Sequence, residues 1–315
     1  MTNLPPAPTP ASTPAPSAAR VWLMAIRPAT LPAAVGPVLV GLGAAFGAGA
    51  SFRADTAVAC LGVALLLQIA ANLANDLADN RRGADTPDRT GPVRVAAAGY
   101  MTERELAAGI CVVIGAASAL GLYLATVGGI AMIVLGMLAV IALLAYTGGP
   151  WPYGYNGLGE FFVFAFFGLM AVGVTAYLQS ATVEPVYLIA ACPIGGLVTA
   201  ILIVNNLRDI PTDRAVGKRT LAVQFGEGFA KAEYHATLIL AALVPPGLLL
   251  ARLAGPAVLL PLVSTVMVPA LVRQVGAVAP GFDRRRLNLV LRDTARLSLV
   301  YGVLFAIGLA VRAGR

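Results

Sequence analysis

NLANDLADNRRGADTPDR, Asn72 to Arg89, and NNLRDIPTDRAVGKR, Asn205 to Arg219, decide the fold, because each polar cluster closes a long apolar segment. Both contain an asparagine with an aspartate four residues later, Asn72/Asp76 and Asn205/Asp209. Asp79 then follows Asp76 by three positions, and Asp213 follows Asp209 by four. On a helix these spacings place side chains on one face. Carboxylates beside a membrane span are costly. At a helix C-terminus the dipole disfavours each of them by a further ~0.3–1 kcal/mol. An arrangement that is locally unfavourable twice over points to a ligand that offsets the cost, and the simplest such ligand is a shared cation.

The rest of the chain is membrane-like, with 58% hydrophobic and 12% charged residues. Nine apolar runs, at 30–50, 56–75, 106–126, 128–147, 158–178, 186–206, 235–252, 256–275 and 294–312, approach the ~20 residues a helix needs to cross a bilayer, the seventh and eighth being short. None alternates apolar and polar residues as a barrel strand would. The expectation is an all-α membrane protein with nine transmembrane helices in one domain, 21–315. Residues 1–20, rich in Pro, Ala, Thr and Ser, read as a disordered tail without the apolar core of a signal peptide. Trp22 to Met24 begin an approach helix along the interface.

Placing the N-terminus in the cytoplasm and alternating the loops puts eighteen of the 22 Lys and Arg residues inside, leaving Arg53, Arg252, Arg312 and Arg315 outside. Both acidic clusters then face the cytoplasm. The net charge of +7 reads as this orientation signal and excludes nucleic acid as a partner, since no soluble domain carries it. Cys60, Cys111 and Cys192 fit no metal spacing or disulfide framework and read as small buried hydrophobes. His235 stands alone, cannot build a zinc site, and reads as interfacial.

Carboxylate and amide oxygens are hard donors, and with no His or Cys in either cluster they suit Mg²⁺. Mg²⁺ usually completes its shell with water and substrate phosphates. Arg81, Arg82, Arg89, Arg94, Arg208, Arg214, Lys218 and Arg219 flank the clusters and suit phosphate oxygens. The combination reads as a metal–diphosphate site. Asn72, Asn75 and Asn205 either ligate the metal or orient the aspartates. The faces of Tyr146, Trp151, Tyr153 and Tyr155 either stabilise a cation, by ~0.5–2 kcal/mol each, or form an interfacial aromatic belt. Equivalent clusters after the second and sixth runs suggest two facing four-helix units that share one cavity. A membrane transporter is the alternative from another class, although it would more naturally hold its carboxylates at the midplane.

Four segments, in this order, resemble the UbiA superfamily of intramembrane aromatic prenyltransferases. They are RPATLPAAVGPVLVG (Arg27 to Gly41), the first acidic cluster running on through GPVRVAAAG (Gly91 to Gly99), YNGLGEFFVFAFFG (Tyr155 to Gly168) and NNLRDIPTDRAVGKRTLAV (Asn205 to Val223). Within the superfamily the likeness is to the branch that prenylates dihydroxynaphthoate in menaquinone synthesis. Asn75, Asp76 and Asp79 match the first family motif, Gly83 departs from it, and Asp85 is the next acid. Asp209 and Asp213 match the second.

The resemblance implies nine helices around a central cavity, under a cytoplasmic cap made by the loops after spans two and six, in a bacterial-type inner membrane. It also implies a polyprenyl diphosphate held through Mg²⁺ and its ionisation to an allylic cation. An aromatic acceptor then attacks C1 and loses its carboxylate, giving demethylmenaquinone. On this reading Asp76, Asp79, Asp209 and Asp213 are catalytic and hold the metal. Asn72, Asn75, Arg94, Asn205, Arg208, Lys218, Arg219, Tyr146 and Tyr155 bind substrate, with membrane lipid around the prenyl tail. A UbiA-type enzyme with another acceptor, such as 4-hydroxybenzoate, is the alternative within the family.

Overall fold

Inside a bilayer a backbone must satisfy its own polar groups, which a single segment can do only as a helix. The computed structural model describes residues 16–84 and 90–311, and among them there is no strand. The helices are α1 (Ala18–Ile26), α2 (Pro32–Gly47), α3 (Ala54–Arg81), α4 (Glu103–Gly128), α5 (Ile130–Ala145), α6 (Gly159–Ser180), α7 (Pro185–Ala215), α8 (Leu221–Leu250), α9 (Pro256–Gly276) and α10 (Arg284–Ala310). Seven are long and apolar enough to cross a membrane, and α1 with α2, bent by 48° at Leu31, make up an eighth candidate. The remaining apolar helix, α5, has 16 residues, about 24 Å at 1.5 Å per residue and short of a ~30 Å hydrocarbon layer.

The edges differ from the apolar runs chiefly where helices extend past them into polar sequence, while α2 and α5 stop a few residues inside their runs. α3 and α7 continue through both acidic clusters. α8 starts at Leu221 rather than near 235, because Glu227, Lys231 and Glu233 hide its first turns from an apolarity count. It is broken once, at Gly226 (φ 86°, ψ −179°). α10 likewise begins ahead of Arg292, Asp293 and Arg296. At the other end of the chain α1 opens at Ala18, inside the expected tail; residues 1–15, Asp85, Arg89, Arg312 and Arg315 lie outside the described residues.

α7 is the axis. Its apolar stretch is 67% buried, against 17% for α4 at the periphery. The core around α7 draws Val40, Val172, Ile194, Leu238 and Phe305 from the surrounding helices. Outward-facing apolar side chains such as Val112, Ile130, Leu250 and Val266 are 71–84% exposed, as lipid-facing residues are. Cys60 is buried, whereas Cys111 is exposed on this outer surface, so the expectation of three buried cysteines fails there.

Two prolines inside helices free carbonyls that α10 then satisfies. Proline lacks an N–H, so the carbonyl four residues earlier loses its helical donor. For Pro211 that carbonyl is Leu207, which accepts from Arg284 Nη1 at 2.6 Å. For Pro245 it is Ala241, which accepts from the Tyr301 hydroxyl at 2.9 Å. α2 and α10 approach through small residues, and a Cβ on Gly43 would lie 2.3 Å from the Ala306 carbonyl oxygen.

Candidate active site

The polar ends of α3 and α7 meet at one end of a cavity of about 800 Å³. Val63, Leu67, Met132, Leu135, Phe166 and Leu202 line its apolar part. Part of that wall is a π-helical stretch of α6, Phe164–Met170, whose wider turn carries Phe166, Phe167 and Met170 into the cavity.

Asp79, 2% exposed, receives Arg94 Nη2 at 2.8 Å and the Tyr155 hydroxyl at 2.8 Å. The Lys218 ammonium lies 3.5 Å from Asp79 Oδ1 and 3.7 Å from Asp213 Oδ1, and 4.6 Å from the centroid of the Tyr155 ring. One cation therefore bridges carboxylates from the two motifs. Local backbone geometry brings it there. Gly217, at φ 75°, turns the chain at the end of α7, and the Lys218 amide donates back to the Asp213 carbonyl at 2.9 Å. Lys218 is thereby folded over the end of its own helix. Arg219, one residue on, is exposed and does not line the cavity; only its backbone N–H reaches the site, at the Tyr155 carbonyl (2.8 Å). This is a departure from its expected role with substrate.

Asp209 accepts both Nε and Nη2 of Arg208, at 2.7 and 2.6 Å, and the Thr90 hydroxyl at 3.2 Å. Arg208 is 1% exposed and also donates to Asn205 and Asn288, each at 2.8 Å. Asn205 thus serves Arg208. Asn75 accepts from Thr147 at 2.9 Å, and Asn72 donates to the Ile26 carbonyl (2.8 Å) and Thr30 (2.9 Å), bracing α1. All three asparagines line the cavity.

Asp76 behaves differently from its neighbour. It is buried, accepts the backbone N–H groups of Val95 and Ala96 at 3.2 Å each, and lies 3.6 Å from Arg27 Nη2. It does not line the cavity. A three-residue offset on a helix turns a side chain by about 60°, which is enough to aim Asp76 at the 94–100 turn while Asp79 faces inward. Tyr146, Tyr153 and Tyr155 line the cavity, whereas Trp151 is 59% exposed and does not. Burial, and then the adjacent Asp79 carboxylate, push the Tyr155 hydroxyl well above the usual phenol range, so it stays a neutral donor.

Among the described residues, no three His, Cys, Asp or Glu side chains converge as a ready metal cage. The donor set nevertheless suits a hard divalent ion, because the Lys218 ammonium already holds the place between Asp79 and Asp213 that such an ion would take. Asp79, Asp209 and Asp213 face Arg94, Arg208 and Lys218, so charges near-buried in this way balance within the site. A metal–diphosphate complex could enter by exchange of partners, the carboxylates turning to the metal and the basic groups to phosphate oxygens. Residues that sequence reading passed over include Arg27, Thr90, Thr147, Asn206 and Asn288. Arg27 and Asn206 lay within quoted segments, but nothing in the pattern distinguished them.

The profile of the UbiA prenyltransferase family matches residues 34–287. The chain is 37% identical to a 1,4-dihydroxy-2-naphthoate octaprenyltransferase of Escherichia coli, over 93% of this chain and 96% of that one. It is 38% identical to the protein of the same description from Mycobacterium tuberculosis, over 92% and 96%. Among solved structures, a UbiA homologue from Aeropyrum pernix superposes with a TM-score of 0.62 at 17% identity, covering 90% of this chain and 97% of that chain. One from Archaeoglobus fulgidus bound to DMAPP and Mg²⁺ superposes with a TM-score of 0.55 at 16% identity, covering 91% and 99%.

Proposed function

The chain belongs to the UbiA prenyltransferase family, and from that premise we propose that it transfers a polyprenyl group from polyprenyl diphosphate to 1,4-dihydroxy-2-naphthoate, with loss of the ring's carboxylate, giving demethylmenaquinone. The observation that carries this is the meeting of Asp79 and Asp213 around one ammonium at the polar end of an apolar cavity. The relatives described as 1,4-dihydroxy-2-naphthoate octaprenyltransferases support the acceptor, and the homologue bound to DMAPP and Mg²⁺ supports the donor and the metal.

Asp79 and Asp213 are the proposed metal-holding pair, and Asp209, which is paired with Arg208 here, would complete the donor set. Mg²⁺, when bound, neutralises the charge that grows on the departing diphosphate. Lys218, Arg94 and Arg208 share that task by donating to phosphate oxygens. Asp76 positions the turn that carries Arg94. The rings of Tyr153, Tyr155 and Phe162 line the cavity and would offer their faces to an allylic cation formed there. The dry apolar wall keeps water from the cation and takes the prenyl tail at ~0.8 kcal/mol per buried CH₂.

We place the polar end, the N-terminus and the cap loops on the cytoplasmic side of a bacterial inner membrane. We assign one domain over 21–315 with nine crossings, counting the α1–α2 pair and α5, whose 16 residues require the bilayer to thin locally. Purified protein given a polyprenyl diphosphate with either dihydroxynaphthoate or hydroxybenzoate, with and without EDTA, tests the reading by mass spectrometry of the products. Prenylated, decarboxylated naphthoquinol that disappears with chelator is expected; product only from hydroxybenzoate, or full activity in EDTA, overturns it.

A further inference from the structure

One buried carboxyl lies beside the cavity and takes no part in the charge set above. Glu160, in the first turn of α6, is 5% exposed, and its Oε1 accepts from Asn206 Nδ2 at 2.7 Å. Its Oε2 has no hydrogen-bond partner among the described residues. Asn206 is itself 5% exposed and lines the cavity, while Glu160 stands behind it and does not. Packing alone would be served better by an apolar residue at 160, because a half-satisfied carboxyl is costly to bury. What this carboxyl does is choose the orientation of an amide. With Nδ2 held from behind, the polar atom that Asn206 turns toward the cavity is its carbonyl oxygen, an acceptor.

The cavity that Asn206 lines also carries aromatic faces that suit a flat ring. Asn206 precedes Asp213 by seven residues on α7, so it lies about 10 Å deeper along the helix axis than the metal-facing end. Tyr153 stacks on Phe162 with centroids 4.1 Å apart, Phe162 stacks on Phe166 at 6.1 Å, and all three line the cavity. Tyr146 lies against the Gly159 backbone next to Glu160. Aromatic faces with one fixed hydrogen-bond acceptor below a diphosphate site form a pocket for an aromatic ring that carries a hydroxyl.

We propose that Asn206 Oδ1 accepts a hydrogen bond from a ring hydroxyl of the aromatic acceptor, and that Glu160 is the positioning residue that holds the amide in the sense that makes this possible. The inference rests on the transferase reading and deepens it. A pocket built to pair with a hydroxyl discriminates against rings that lack one.

The test measures KM separately for the dihydroxynaphthoate and for the polyprenyl diphosphate in wild-type protein and in Asn206→Leu, Glu160→Leu and Glu160→Gln. The glutamine variant keeps an oxygen that can accept from Asn206 Nδ2. Asn206→Leu and Glu160→Leu should raise the acceptor KM about tenfold, the scale of one lost hydrogen bond, with the diphosphate KM within twofold; Glu160→Gln should restore the acceptor KM. An acceptor analogue without one hydroxyl should bind the wild type about tenfold more weakly and Asn206→Leu no worse than the parent compound does. Equal rises in both KM values, no rise in either leucine variant, or a glutamine variant as impaired as Glu160→Leu would overturn the proposal. Should the leucine variants fail to fold, the analogue on wild type and Glu160→Gln decides: an analogue that binds as well as the parent compound removes the hydroxyl contact. Failure of wild-type protein to prenylate the naphthoate at all would instead count against the transferase reading.

Discussion

Asp76 and Asp79 stand three positions apart and do different work. Asp79 faces the cavity and the Lys218 bridge; Asp76 faces two backbone N–H groups and Arg27. Asp79→Ala and Asp213→Ala should therefore lower kcat by a factor of about 10² or more in folded protein, the scale seen when one group stabilising transition-state charge is removed. Asp76→Asn keeps an acceptor for only one of the Val95 and Ala96 amides, which donate to separate oxygens, and should retain much of the activity while lowering thermal stability. A steady-state assay beside a melting curve separates the two patterns, and equal kcat losses at positions 76 and 79 would refute the distinction. Lys218→Ala removes the bridge between the motifs and should raise the diphosphate KM; an unchanged KM and kcat would show that the lysine only offsets charge. The residue types needed for this chemistry were legible in the pattern Asp-x-x-Asp and Asp-x-x-x-Asp. Which carboxylate turns inward was not, because spacing specifies angular separation on a helix but not the helix's rotation about its axis.

At the level of elements, α10 acts as a fastener for the proline breaks of α7 and α8. Tyr301→Phe deletes only the hydroxyl that serves the Ala241 carbonyl. It should cost about 1 kcal/mol, read as a fall of about 2–4 °C in melting temperature, with activity near wild type. The α2–α10 contact is less forgiving. Gly43→Leu must push the helices apart against the Ala306 carbonyl, at about 1–3 kcal/mol or more. Gly115→Leu, on the exposed α4 where an added Cβ meets nothing within 4 Å, should be tolerated. Comparable melting temperatures for the two leucine variants would contradict this packing. Each apolar run did become a helix. Their ends were misread where charged residues such as Glu227, Arg292 and Arg296 lie on a helix that runs on past its apolar part, since hydropathy reports the environment of side chains and not the path of the backbone.

For the molecule as a whole, the basic residues make a prediction about sidedness. Arg286 and Arg53 are both exposed, at the α10 start and in the α2–α3 loop. Arg286→Cys should react with a membrane-impermeant maleimide only when the cytoplasmic face is open to reagent, and Arg53→Cys only from the other side, each compared with the parent protein. Labelling of both from one face would reverse or abolish the orientation. Sequence alone determined that this chain is helical and lipid-embedded, because bilayer-length apolar runs leave the backbone no other way to satisfy its polar groups. It also determined that oxygen-rich donors and basic residues lie at the ends of two such runs, because residue identity and spacing carry that directly. Only the tertiary structure decided that Asp79 and Asp213 share one ammonium, that Asp76 and Arg219 turn away, and that Glu160 stands behind Asn206. Those relations join residues from segments far apart in the chain, and the packing of α3, α6 and α7 around a common cavity is what sets the distances between them.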